Sequence, residues 1–539
     1  MSQGSAAFFT LDRGTVSTAA ALIAPVDGRY RLLAASSAPS AIATESILED
    51  LAWRVARTDA SIAGSLEGWR DWSRLEVRTV RAPHAVLVAA STQAGEPLER
   101  AFAGAGWVVT ARFFGATPDI VALGEAMLDP RVDAVIMGGR DEVDEAEADA
   151  AARLWSRVGS LARFRDDLAT IACGPFSERP AGIPDARLFA LPAPAVAPLA
   201  ADSQLRAAAT QVGVHLVTGG EPAAADGRAA HRTAMASLAA VLDGHVDGLD
   251  IGVSAGSRTV VGADGSVQHA TLAAAGVLPP ELLDDEAAGD AVLRWSTLAG
   301  DPAARLDGLR ELASAPWSRI DEEGVHLRLA TLRAAIERLS ASWDGTATDD
   351  EPGAVRTLVL SGGTFAAVPP AAATLAVIDG IRRPGALTIR HDEAAVLAPL
   401  GALPVEEDRR RLLLDLMDDC LLPLGSALLT GTLGKGGRKE PARGSLRVSS
   451  TLGDEQLSLE PGQLRLVDLP PGISARLGLE AGEGATLAAG RRLDLDVHGG
   501  LGGLLVDTRA IPLELPEQGE QRRAMLAEWE APAWIGSDR

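Results

Sequence analysis

Apolar runs punctuated by Asp-Gly and Gly-Gly turns organise this chain. Residues 7–36 read AFFTLDRGTVSTAAALIAPVDGRYRLLAAS. An apolar run ends at Asp12-Arg13-Gly14, a small polar loop follows, and a second apolar run covers 19–24. Asp27-Gly28 then leads into an alternating run at 30–34. The pattern predicts strand, tight loop, strand, Asp-Gly turn, strand. Residues 246–270, VDGLDIGVSAGSRTVVGADGSVQHA, repeat the design, with Asp250 and Gly252 ending the strand and Asp264-Gly265 at the next turn. Two copies of one unit at nearly equal spacing predict two homologous half-domains.

Strands and helices alternate between and after these units. Short apolar runs at 85–90, 108–113, 132–137, 168–172 and 187–190 predict strands. The stretch 141–164, acidic in its first turn, predicts a long helix, and 230–242 predicts a helix leading into the second unit. Residues 280–343 are mainly helical in pattern; 355–360 is a strand ending in Ser361-Gly362-Gly363. Such alternation implies mostly parallel sheets covered by helices. The C-terminal part differs. A Gly-rich basic stretch at 431–444 is a linker, 445–515 holds short alternating runs expected of a small β-sandwich or barrel, and 516–539 is a closing helix and tail.

Composition narrows the function classes. The 539 residues carry 50 Lys+Arg against 73 Asp+Glu, a net charge of −23, which argues against nucleic acid as a partner because phosphate backbones need a basic face. Hydrophobic residues at 47% are enough for a real core. The two cysteines, Cys173 and Cys420, have no zinc or disulfide spacing and fit a reducing, cytoplasmic setting. No signal-peptide pattern opens the chain, and no apolar run is long enough to predict a membrane span. The eight histidines show no metal-ligand spacing.

The Asp-x-Gly hairpins are the strongest chemical signal. A tight loop of Gly and hydroxyl residues can aim backbone N–H groups at phosphate oxygens. A strand-terminal Asp can hold Mg²⁺ through water, since that ion keeps several waters and takes few carboxylates. Two such loops facing one another could grip a nucleotide. A competing motif lies in the second loop: 252–256 matches G-x-S-x-G, the nucleophile elbow of hydrolases. That elbow requires a following helix, whereas the sequence predicts a strand and turn there.

The order of motifs resembles the actin-like ATPase superfamily, which includes sugar kinases, actin and DnaK-type chaperones. Within it the chain is most similar to the MutL/GlmL family of glutamate-mutase accessory proteins. The likeness is carried by LDRGTVSTAAALIAPVDGRYRLLAASSAPS, DAVIMGGRDEVDEAEADAAARLW, GLDIGVSAGS, RTLVLSGGTFAAVPPAAATLAVIDGIRRPGALTIRHDEAAVLAPLGAL and GGLLVDTRAIPLELP, and spans most of the chain. The resemblance implies two ribonuclease-H-like lobes, 1–245 and 246–430, then the linker and the all-β C-terminal module. It implies a first phosphate loop of Asp12, Gly14, Thr15 and Ser17, and a second of Asp250, Gly252 and Ser254. Ser361, Gly362 and Gly363 would form the nucleoside-side turn. ATP and Mg²⁺ would be the cofactors, with Asp12 and Asp250 positioning the metal and the attacking water. The partner would be an adenosylcobalamin-dependent mutase subunit that the protein reactivates or remodels.

Departures from the family pattern accompany the likeness. Ala19 stands where the family has Lys, Val16 replaces a hydroxyl residue, and Arg13 follows Asp12. Strand alternation points Arg13 away from Asp12. In the second loop Val253 replaces a Gly, and the Thr pair and Asp that follow in the family are absent. The middle motif reads Gly138-Gly139-Arg140-Asp141-Glu142-Val143 instead of Gly-Gly-Thr-Asp-Gly-Gly. Losing the Lys removes a cation that would neutralise phosphate charge. Three altered motifs make a weak or lost ATPase activity a serious expectation. The alternatives are a non-catalytic scaffold on the same fold and a kinase of a small hydroxylated substrate.

Overall fold

The computed structural model describes residues 7–58, 68–138, 145–174, 187–193, 202–218, 225–253, 255–273, 278, 283, 286–316, 318, 321–341, 355–431, 433, 444–482 and 492–534. The Gly-rich linker apart from residues 431, 433 and 444, most of the middle motif and Ser254 lie outside them. In chain order the strands are β1 (Phe8–Arg13), β2 (Ser17–Val26), β3 (Arg29–Pro39) and β4 (Ser73–Arg78), then β5 (His84–Ala89), β6 (Val108–Phe114), β7 (Ala134–Gly138), β8 (Ala169–Cys173) and β9 (Leu188–Leu191). There follow β10 (Ala225–Asp226), β11 (Val246–Ile251), β12 (Ala255–Val261), β13 (Val267–Ala273), β14 (Val355–Ser361), β15 (Gly385–Asp392) and β16 (Leu421–Leu429). The last are β17 (Gly444–Ser450), β18 (Gly453–Leu459), β19 (Leu464–Val467), β20 (Ser474–Ala481), β21 (Arg492–His498) and β22 (Leu504–Asp507).

Two sheets share one plan. The first runs β3-β2-β1-β4-β10, the second begins β13-β12-β11-β14-β15. In each, the opening three strands form an antiparallel meander, and two further strands add in parallel beside the first. This is the ribonuclease-H-like order, present twice: the fold is the α/β, two-lobed actin-like ATPase architecture. Even the register repeats. Asp12 pairs with Ala19 on β2 and Val77 on β4; Asp250 pairs with Ser257 on β12 and Ser361 on β14.

Strand alternation decides which way each side chain goes. Phe9 and Leu11 of β1 pack with Leu48 and Leu51 of the helix Thr44–Thr58. Phe8 takes the other face and packs with Met235 and Leu238 of the helix Gly227–Leu242. Each of these side chains is fully buried, which stabilises by roughly 1.5–3 kcal/mol apiece. The same cluster continues into Val246 of β11, Val359 of β14 and Leu412, Leu413 and Leu416 of the helix Glu406–Cys420. The helix Gly227–Leu242 is therefore the common core of both lobes. Asp226 caps it, accepting from Ala229 N–H at 3.1 Å.

Between β4 and β10 the chain builds a separate all-parallel sheet, β6-β5-β7-β8-β9. Apolar clusters cover both of its faces, which is why its strands read as continuous apolar runs. It touches the second lobe where Ala105 bridges Thr271. At the other end, β17, β18, β20 and β21 form an antiparallel sheet. The alternating runs of 445–515 divide between two sheets, because β22 and β19 extend the second lobe beyond β16. The helix Gly519–Trp534 docks on that lobe through buried Leu526, Trp529, Glu530 and Ala533. Among the described residues no helix is long and apolar enough to cross a membrane.

Candidate functional site

The two predicted loops have the same backbone geometry. Gly14 N–H donates to Ser17 C=O at 2.8 Å, and Gly252 N–H donates to Ala255 C=O at 3.0 Å. A Cβ on Gly14 would lie 2.9 Å from the Ser17 oxygen, so this turn excludes a side chain. Ser40 secures the first loop from outside: its N–H donates to Val16 C=O at 2.8 Å and its hydroxyl to Gly14 C=O at 3.1 Å. Thr15 and Ser17 are exposed at the tip. Ser257 pairs across from Asp250 on β12, but the next strand begins at Ala255, directly after Ser254. The G-x-S-x-G stretch is thus followed by a strand, and it lacks the helix a nucleophile elbow needs.

The structure brings Asp12 and Asp250 into electrostatic contact, and adds a third carboxylate, Asp392, at the end of β15. Burial pushes the Asp12 carboxyl up to about 8, helped by the charges of Asp250 and then Asp392. Burial also raises Asp392 to about 7, against the pull of backbone N–H donors from Leu397 and Val396, with Asp250 raising it further. Both Asp392 oxygens are engaged, accepting from Val396 and Leu397 N–H at 3.0 Å each, so this residue anchors the helix Leu397–Gly401. Asp12 and Asp250 are half-buried and make no side-chain hydrogen bond among the described residues.

No group of three or more His, Cys, Asp or Glu side chains among the described residues could hold a metal ion. A protein-only cage is therefore absent there. Two half-buried, unengaged carboxylates suit an ion that keeps its waters and arrives with phosphate, as Mg²⁺ does. Ala19 lies directly opposite Asp12, so the position of the family's Lys faces this acid pair. Arg13 does not replace it: Arg13 projects from the opposite face of β1 and pairs with Glu76 at 2.9 Å.

The Ser361-Gly362-Gly363 turn ends β14 beside Asp250. Ser361 is buried, and its hydroxyl lies 3.2 Å from Nε2 of His231 on the helix Gly227–Leu242. His231 is also buried; burial lowers its pKa, opposed by the charge of Asp250. Gly362 has φ 95° and faces the Ile251 backbone, while Gly363 opens a short helix. Val253, where the family has Gly, packs against the helical cluster containing Trp295 and Leu327. Sequence reasoning missed His231 and Asp392. Asp392 carried a signal, being an Asp at a strand end like Asp12 and Asp250; His231 carried none, as a lone His in an apolar helix.

No family model matches this chain, and no curated protein matches it. Among solved structures, it is similar to the activator of the 2-hydroxyisocaproyl-CoA dehydratase from Clostridium difficile with bound ADPNP, at 9% identity and TM-score 0.28, over 75% of this chain and 96% of that one. It is similar to nucleotide-free acetone carboxylase at 10% identity and TM-score 0.28, over 84% of this chain and 80% of that one. A carbohydrate kinase from Novosphingobium aromaticivorans gives 13% identity and TM-score 0.24, over 74% and 92%. The fold assignment rests on the doubled strand order and register, not on these overlaps.

Proposed function

We propose that this protein binds Mg²⁺-ATP between its two lobes and acts as a MutL/GlmL-like accessory factor of an adenosylcobalamin-dependent mutase, with hydrolysis weak or lost. One observation carries the nucleotide part: two glycine hairpins of matched register place Asp12 and Asp250 within electrostatic reach of one another. Gly14, Thr15, Ser17, Gly252 and Ser254 would face phosphate, and Gly362 and Gly363 the nucleoside. Bound Mg²⁺ would neutralise phosphate charge. Asp12 and Asp250 would orient its waters, and lobe closure would pass nucleotide state to the partner. The mutase assignment draws on the sequence resemblance alone.

Calorimetry with Mg²⁺-ATP, beside Asp250→Ala, tests the reading. Saturable binding lost in the variant supports it and leads to ATPase and mutase-reactivation assays. Absence of binding at millimolar nucleotide overturns it. A non-catalytic scaffold is then the better reading. It is favoured by Ala19 facing Asp12, by Val253 committed to a core, and by the Ser361 hydroxyl taken up by His231.

A further inference from the structure

On the face of β1 opposite Asp12 lies a cavity of about 560 Å³ within the first lobe. Its walls are the hairpin tip at Gly14 and Thr15, Ser40 after β3, the segment Arg78 to Arg81 that starts on the last residue of β4, and the end of the helix Asp202–Thr218. Three arginines line it, Arg13, Arg78 and Arg81, together with several hydroxyls and no described acidic residue. That is unusual for a chain of net charge −23.

Arg13 and Arg78 are register partners on adjacent strands. Like charges side by side on a sheet destabilise it. Two of the three arginines have acidic partners: Glu76 pairs with Arg13 at 2.9 Å, and Asp133 holds Arg81 through two contacts of 2.6 and 2.7 Å. Arg78 has no acidic partner among the described residues. Arg78 thus lines the cavity without an ion pair, beside Arg13, whose charge Glu76 balances. The walls are also fixed in advance. Thr79 N–H donates to Arg13 C=O at 2.8 Å, and the two Ser40 hydrogen bonds hold the hairpin tip. A prepared wall of guanidinium forks and hydroxyls matches a phosphate group, which accepts paired donors.

We propose that this cavity binds a phosphate-bearing small molecule, with Arg78 and Arg13 gripping the phosphate. The site goes beyond the nucleotide reading: it shares the hairpin tip at Gly14 and Thr15 with the proposed phosphate loop, but its cations are Arg13 and Arg78 and it uses neither Asp12 nor Asp250.

The test uses the full chain carrying Asp250→Ala, so that the interlobe site is removed, and pyrophosphate as the probe. Calorimetry at low ionic strength is expected to show saturable binding that weakens with added salt. Adding Arg78→Ala is expected to weaken it by about tenfold or more. No saturable binding to the Asp250→Ala chain, or equal binding with and without Arg78, overturns the proposal. A second measurement guards against misfolding. In an otherwise unaltered chain, Arg78→Ala should melt within a few degrees of the parent temperature without ligand, since Arg78 has no acidic partner among the described residues to lose. Pyrophosphate should raise the melting temperature of the parent chain more than that of the variant. An equal rise in both sinks the idea.

Discussion

Gly362 stands against the carbonyl of Ile251: a Cβ built on it would fall 2.3 Å from that oxygen. The contact joins the end of β14 to the end of β11, beside Asp250, and is possible only without a side chain. The φ of 95° adds a second reason for glycine.

Gly362→Ala should therefore destabilise the protein by about 2 kcal/mol or more, by backbone strain and overlap together. Gly363→Ala is the control, since its Cβ would meet nothing within 4 Å and it begins a helix. That variant should stay within about 0.5 kcal/mol of the parent. Urea denaturation of the two distinguishes a requirement for glycine at one position from a general intolerance of the turn.

The docked C-terminal helix depends on a buried charge chain. Arg333 is fully buried and pairs with Glu530 of that helix and, at 2.7 Å, with Asp379. Asp379 in turn binds Arg509 at 2.6 Å, and Arg509 binds Asp507 at 2.7 Å. Removing one member leaves an uncompensated buried charge, so Glu530→Ala should cost about 3–5 kcal/mol. Limited proteolysis should then release the end of the chain. Equal stability of variant and parent would show that the helix is held by Leu526 and Trp529 alone.

Asp12 makes stability depend on pH with a definite sign. Its carboxyl is raised to about 8 from 3.8, by burial first and then by Asp250 and Asp392, so the folded state holds the proton more tightly than the unfolded one. The group's contribution therefore falls as pH rises from about 4 to about 8 and is constant above. Asp12→Asn removes that loss. Its melting-temperature advantage over the parent should grow between about pH 5 and pH 8 and level off beyond. A difference that does not change with pH would contradict the assignment.

Both thiols should be inert in the folded protein. Cys173 and Cys420 are buried, and burial pushes both thiols up, with Asp392 and Asp419 adding to the effect at Cys420. A thiol reagent such as dithiobisnitrobenzoate should titrate neither in the native chain and both after denaturation. Fast reaction of either one in buffer would mean that its cover opens locally.

The hairpins, the doubled unit and most strands could be read directly from the residues, because they depend on short-range chemistry. Asp-Gly turns, glycine at Gly14 and alternation along β1 act over a few positions, and Arg13 leaves on the face opposite Asp12 for the same reason. Relations between distant segments were decided by packing. Whether Asp250 and Asp392 crowd Asp12, whether His231 takes the Ser361 hydroxyl, and whether Arg78 aligns with Arg13 depend on strand order and register. Those are set when apolar faces from both lobes bury around the helix Gly227–Leu242. The division of 445–515 between two sheets has the same origin. β19 is a short alternating run, whereas β22 is buried along its whole length, and pairing of β22 with the edge of β16 and of β19 with β22 carries both into the second lobe. Local pattern specifies an element; the partner that covers its apolar face or completes its hydrogen bonds is a property of the whole fold.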